Sequence, residues 1–139
     1  MDKNLAEPKS SPVESGIRSK GVMEDRNSEI QAVAEKVRME FEQKRIPKET
    51  LSMLYSEYNP DVDGNIFTTE AEKIFPRLNC GLTSIYLKKM LGGEVIRGRY
   101  DGHDHTFLLL NNQVIDTTAD QYRGPRVYVG ELKLPWTTK

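Results

Sequence analysis

The chain has 139 residues, 37% hydrophobic and 29% charged, with 20 Lys and Arg against 21 Asp and Glu for a formal net charge of -1. Such a length buries roughly 70% of the surface its unfolded form exposes, enough to hold one core without a disulfide or metal. No run of 18 apolar residues is present, Cys80 is the only cysteine, and the charge is near neutral; these exclude a membrane-spanning helix, an internal disulfide and a cysteine-based zinc cage, and argue against non-specific nucleic-acid binding.

Residues 1–27 carry Ser10, Ser11, Pro12, Ser15 and Gly16 with balanced charges and no apolar period, which predicts a disordered tail dispensable for folding. The start Met1-Asp2-Lys3-Asn4 lacks the basic and apolar regions of a secretory signal. The expected location is therefore the cytoplasm, or export without a cleaved signal peptide. From Ser28 to Lys139 one α+β domain is expected. Ser28 with Gln31 reads as a capping box opening a helix whose inner face holds Ile30, Val33, Ala34, Val37 and Phe41, ended by Pro47. A second helix is predicted from about Lys48 to Tyr58, broken by Asn59-Pro60, with Leu51, Leu54, Tyr55 and Tyr58 inward. Thr69 with Glu72 predicts a shorter third helix that turns Ala71, Ile74 and Phe75 inward and stops at Pro76.

The fourth helix is expected to begin at Asn79-Cys80-Gly81, to place Leu82, Ile85, Tyr86 and Met90 at helical spacing, and to stop at Gly92-Gly93. Beyond Gly93 the period changes from 3.6 to 2, and Val95 to Tyr100, His105 to Leu110, Gln113 to Asp116 and Arg126 to Val129 read as strands. Helices followed by strands imply an antiparallel sheet with the helices, the Cys80 helix included, packed on it.

Three residue sets could carry chemistry. Asp61, Asp63, Asn65, Thr69 and Glu72 occupy the ligand positions of a calcium loop, but its sixth position is Ile66 rather than the Gly the sharp turn needs. A polar turn with helix-capping Thr and Glu accounts for them better. Asp101-Gly102-His103-Asp104-His105 gathers imidazoles and carboxylates, yet on an alternating strand these cannot supply three or four ligands to one side. Neither set predicts a metal site, and no cofactor is expected.

The third set is Cys80, His105 and Asp116. A two-residue Asn111-Asn112 turn tolerates the positive φ angles of a tight hairpin and places Leu110 opposite Gln113 and Phe107 opposite Asp116. His105 and Asp116 then share a face as diagonal neighbours at roughly 7–8 Å, within reach of a side-chain hydrogen bond. Cys80 falls on the first turn of a helix, where the free N–H groups and the dipole favour a thiolate. The same register offers His103 with Asp120 as a rival pair. The plain structural alternative is a small buried thiol beside a structural His–Asp bond.

The run His105-Thr106-Phe107-Leu108-Leu109-Leu110, followed by Ile115-Asp116-Thr117-Thr118-Ala119-Asp120-Gln121-Tyr122, resembles the histidine and aspartate strands of papain-like and transglutaminase-like cysteine hydrolases, including small bacterial toxins and injected effectors. Asn79-Cys80-Gly81-Leu82-Thr83-Ser84 resembles their nucleophile-helix start, and the likeness spans about residues 79–130. It implies a papain-like core and a Cys80, His105, Asp116 triad that hydrolyses or transfers amide acyl groups as a protease, glutamine deamidase or amidase. It also implies a protein or peptide substrate, such as a host or target-cell protein; the near-neutral charge and the missing apolar run predict no nucleic-acid or membrane partner. Papain-like enzymes place an oxyanion-hole Gln shortly before the Cys; here no Gln lies between Gln43 and Gln113. The donor role therefore falls to the Cys80 backbone N–H with the side chain of Asn79 or Gln121. A non-catalytic protein-binding module on the same scaffold is the competing reading.

Overall fold

The computed structural model describes residues 16–139. Among these residues four helices precede a five-stranded antiparallel sheet: α1 Gly16–Glu42, α2 Lys48–Tyr58, α3 Gly64–Lys73, α4 Cys80–Leu91, β1 Glu94–Tyr100, β2 His103–Leu110, β3 Gln113–Asp116, β4 Tyr128–Glu131 and β5 Trp136–Thr137. A short 3₁₀ helix, Ala119–Tyr122, joins β3 to β4. The class is α+β.

The expected tail reaches beyond the described residues, and its last part is helix: α1 starts at Gly16, twelve positions before Ser28, which sits inside the helix. Once a helix is nucleated on a buried stripe, each further residue gains one hydrogen bond at little added cost, so the missing apolar period does not mark its start. That stripe is Ile30, Ala34, Val37 and Phe41, all buried. The third helix also begins earlier than predicted. Asp63 is its N-cap, its carboxylate accepting the Ile66 backbone N–H at 3.0 Å. Thr69 and Glu72 lie within the helix, so the acidic segment from Asp61 is a cap. Gly64 crosses α2 so closely that a Cβ there would fall on the Ser52 carbonyl oxygen.

The strand order is β4-β3-β2-β1-β5. Asn111 and Asn112, with φ of 52° and 66°, make the β2–β3 turn, and Leu110 pairs with Gln113, Leu109 with Val114 and Leu108 with Ile115. The β1–β2 turn is Asp101-Gly102, with φ of 50° and 82° and Tyr100 paired to His103. β2 therefore begins two residues before its predicted start at His105. Asp-Gly is the other tight-hairpin signal, and the residues considered as a ligand cluster are this turn and the start of β2. The fourth strand is Tyr128–Glu131 rather than Arg126–Val129, and the two-residue β5 has no counterpart in the alternating pattern.

Both faces of the sheet are apolar. On one, Leu108, Ile115, Leu82, Ile85 and Leu87 join the helical core; on the other, Tyr100, Phe107, Val114, Ala119 and Trp136 form a second cluster. Tyr86 is half-buried, and Met90, at the C-terminal end of α4, is 39% exposed, so the stripe predicted for α4 ends before it. Tyr128 and Trp136 belong to strands at opposite edges of the sheet, yet their rings stack at 3.9 Å. The sheet thus curls around the second cluster.

A candidate active site at the edge of the sheet

β3 ends at Asp116, whereas β2 extends past it to His103. Beyond Asp116, β2 therefore has an unpaired edge, and His105 and Thr106 lie on it. α4 rests against this part of β2, with Ser84 Oγ donating to the Thr106 carbonyl at 3.3 Å. Cys80 is the first residue of that helix. The sheet edge and the helix start are thereby brought together, although His105 faces the second cluster and α4 packs on the first.

His105 and Asp116 are both buried, at 2% exposure each. The imidazole Nε2–H donates to Asp116 Oδ2 at 2.7 Å. Oδ2 also accepts the Trp136 indole N–H at 2.8 Å, and Oδ1 accepts the Thr118 backbone N–H at 2.9 Å. The orientation of this buried carboxylate follows from these three donors. With Nε2 committed to Asp116, Nδ1 is the nitrogen left for other partners, and Gln121 Nε2 stands 3.5 Å from it.

Cys80 and His105 act on each other reciprocally. Burial pushes the thiol up, but hydrogen bonding to His105 and Thr106 and the charge of the imidazole outweigh it and hold Cys80 below its ordinary value of 9.0. Burial pulls His105 down, but the Asp116 hydrogen bond, the Cys80 hydrogen bond and both charges raise it from 6.5 to about 9. Each shift favours a thiolate beside an imidazolium. Chemically, the arrangement is a thiol beside an imidazole whose far side is anchored by a carboxylate, a set able to move a proton off sulfur.

The remaining sequence candidates fall elsewhere. Asn79 is buried, and its amide donates to the Ala71 carbonyl at 2.9 Å and the Arg77 carbonyl at 2.8 Å. Both of its N–H groups are thus engaged, which removes it as an oxyanion donor; it anchors the turn before α4 instead. Gln121, on the 3₁₀ helix, stays beside His105. The rival pair is not formed: Asp120 takes a bidentate bond from Arg38, and the exposed His103 stacks on Tyr122 at 4.5 Å with the rings 2° from parallel. No group of three or more His, Cys, Asp or Glu side chains is arranged to hold a metal ion among the described residues.

Two neighbours of the site carry little or no signal in the sequence. Trp136 follows Pro135 near the chain end, and only the curl of the sheet brings it to Asp116. Tyr122 donates its hydroxyl to the Asp104 carbonyl at 3.1 Å and meets His105 edge-on at 5.5 Å. It was visible only as the aromatic that closes the Asp116-to-Tyr122 resemblance.

Residues 48–134 match a family model described as YunG protein. That segment contains Cys80, His105 and Asp116 and ends before Trp136. No curated protein and no solved structure matches the chain.

Proposed function

For this chain, which belongs to the YunG protein family, we propose a cysteine-dependent amide hydrolase or acyl-transfer activity carried by Cys80, His105 and Asp116 on a papain-like core. The observation that supports it is the buried 2.7 Å His105–Asp116 bond, which leaves Nδ1 free for a thiol at the start of a helix. In this mechanism Asp116 fixes the tautomer and orientation of His105, and His105 takes the Cys80 proton. The thiolate attacks an amide carbonyl, forming a C–S bond as the carbonyl π pair moves onto oxygen. When the carbonyl re-forms, the C–N bond breaks, the imidazolium gives its proton to the leaving amine, and a thioester remains on Cys80. Water, deprotonated by His105, then releases the acid; an amine in its place gives acyl transfer, and a glutamine side chain as substrate gives deamidation.

The backbone N–H groups of Cys80 and Gly81, on the first turn of α4, have no intrahelical partner and suit the developing oxyanion, with Gln121 as the candidate side-chain donor. A protein or peptide amide is the substrate class this chemistry takes.

Rates of Cys80 alkylation by iodoacetamide across pH test the reading. The thiol should react at least about tenfold faster at pH 7 than a free cysteine thiol of pKa about 8.5, and His105→Ala should remove the difference. A slow thiol with an ordinary titration curve would instead favour the competing protein-binding module.

A further inference from the structure

We propose that Trp136 is a positioning residue of the Cys80 site: its indole N–H sets the carboxylate of Asp116 in the orientation that aims His105 at the thiol. The proposal rests on the acyl-transfer reading above and adds to it a residue from the last strand of the sheet.

The two oxygens of Asp116 are held differently. Oδ1 is tied to the Thr118 backbone N–H, whereas Oδ2 receives the indole N–H at 2.8 Å and the imidazole N–H at 2.7 Å. Without the indole, Oδ2 would be held only by the ring it is supposed to orient. The Asp116 side chain is 1% exposed, and Tyr100, Phe107, Val114 and Ala119 around it are packed as an apolar cluster. A carboxylate in such surroundings relies on each of its donors to stay in one orientation.

The indole itself is rigidly placed. It is 4% exposed, stacks on Tyr128 at 3.9 Å and meets the edge of Tyr100 at 4.9 Å. Its strand pairs with β1 through Tyr100 and Trp136. Trp136 is therefore both the clasp of the curled sheet and a donor pointing into it, and its N–H is the part that the packing role does not require.

Because indole and imidazole share one oxygen, the indole draws off part of the charge that would otherwise face His105. Replacing Trp136 with Phe keeps a ring for the stack and removes the donor. The carboxylate then faces the imidazolium with less of its charge neutralised, and His105 holds its proton to higher pH.

The test is an NMR titration of the His105 imidazole, with His103→Gln used to assign the two histidines. Trp136→Phe should move the His105 midpoint upward by about 0.5 pH unit or more. Leu51→Ala, which opens a cavity in the helical core away from Asp116, should lower the melting temperature and leave that midpoint in place. A Trp136→Phe midpoint unchanged within about 0.1 unit, or an equal shift in Leu51→Ala, would overturn the proposal. Should Trp136→Phe fail to fold, the wild-type chain answers the same question through its single indole N–H resonance. That resonance should follow pH with the His105 midpoint, and one that stays still overturns the proposal. Slow alkylation of Cys80 alongside an intact indole–imidazole coupling would remove the proposed activity while leaving the role of Trp136 standing.

Discussion

Arg38 and Asp120, 82 residues apart, are joined by two parallel hydrogen bonds, Nη1 to Oδ1 at 2.8 Å and Nη2 to Oδ2 at 2.9 Å. The same guanidinium donates to the Thr117 carbonyl at 2.8 Å and lies over the Phe75 ring at 4.7 Å. It thus clamps α1 onto the segment that leaves Asp116 and carries Gln121. Arg38→Ala would leave a half-buried carboxylate and a buried carbonyl without their donor. It should cost about 3 kcal/mol, read by urea unfolding. The Arg38→Ala, Asp120→Ala double variant should cost clearly less than the two single variants together, because they remove one interaction. Strict additivity would mean that the clamp carries no coupling.

This clamp also shows where the sequence stopped being legible. Periodicity marks Val37 and Phe41 as inward, and it marks Arg38 as a polar residue beside them; only a partner from the distant Asp120 makes its burial tolerable. The His105–Asp116 pair was legible because a two-residue turn dictates register, and register dictates which side chains meet. Asn79 could not be judged the same way. Its position before α4 was evident, but whether its amide was free depended on the carbonyls of Ala71 and Arg77, which the preceding turn folds over it. β5 was invisible because two residues carry no period, although Trp136 on it touches the centre of the site.

Gly98 sits opposite His105 in the β1–β2 ladder. A Cβ there would fall on the Thr137 carbonyl oxygen and lie 2.8 Å from Phe107 Cε1. One obstacle is backbone of β5 and the other a fully buried ring, so neither can yield cheaply. Gly98→Ala should cost about 2–3 kcal/mol and loosen β5 from β1. The single Trp136 reports on this directly: its fluorescence emission should shift to the red as the indole meets water. Wild-type stability with unchanged emission would show that β5 does not pack as described.

The pH dependence of stability carries a signature of the Cys80–His105 pair. His105, raised from 6.5 to about 9, contributes stability that is full below pH 6.5 and is lost as pH rises through about 9. Cys80, lowered from 9.0, contributes stability that is full above pH 9 and is lost as pH falls through its folded value. Between these limits stability falls with pH through the histidine and rises with pH through the thiol, so the two slopes oppose each other. Wild-type stability should therefore fall less steeply between about pH 7 and 8.5 than it would without the thiol. Cys80→Ala removes one of the two contributions, and its stability should fall as pH rises above 6.5. Parallel curves for the two proteins in urea titrations would show that thiol and imidazole are not coupled.

The proposed chemistry makes the strongest demand on single substitutions. Cys80→Ala should abolish turnover of an amide substrate, because the chain holds no other thiol. His105→Ala should be nearly as severe. Asp116→Asn keeps the shape of the side chain and one acceptor but loses the charge opposite the imidazolium, and with it the tautomer that frees Nδ1 for the thiol. A loss of about 10²–10⁴ in kcat is expected, with little change in KM. The Cys80→Ala, His105→Ala double variant should be no worse than Cys80→Ala alone, since members of one unit do not add. His103→Gln serves as the control: its ring is exposed and stacked on Tyr122, away from Asp116, and it should leave kcat within about twofold. Turnover that survives Cys80→Ala would exclude a thioester, and a severe loss in His103→Gln with a mild one in His105→Ala would place the base on the other histidine.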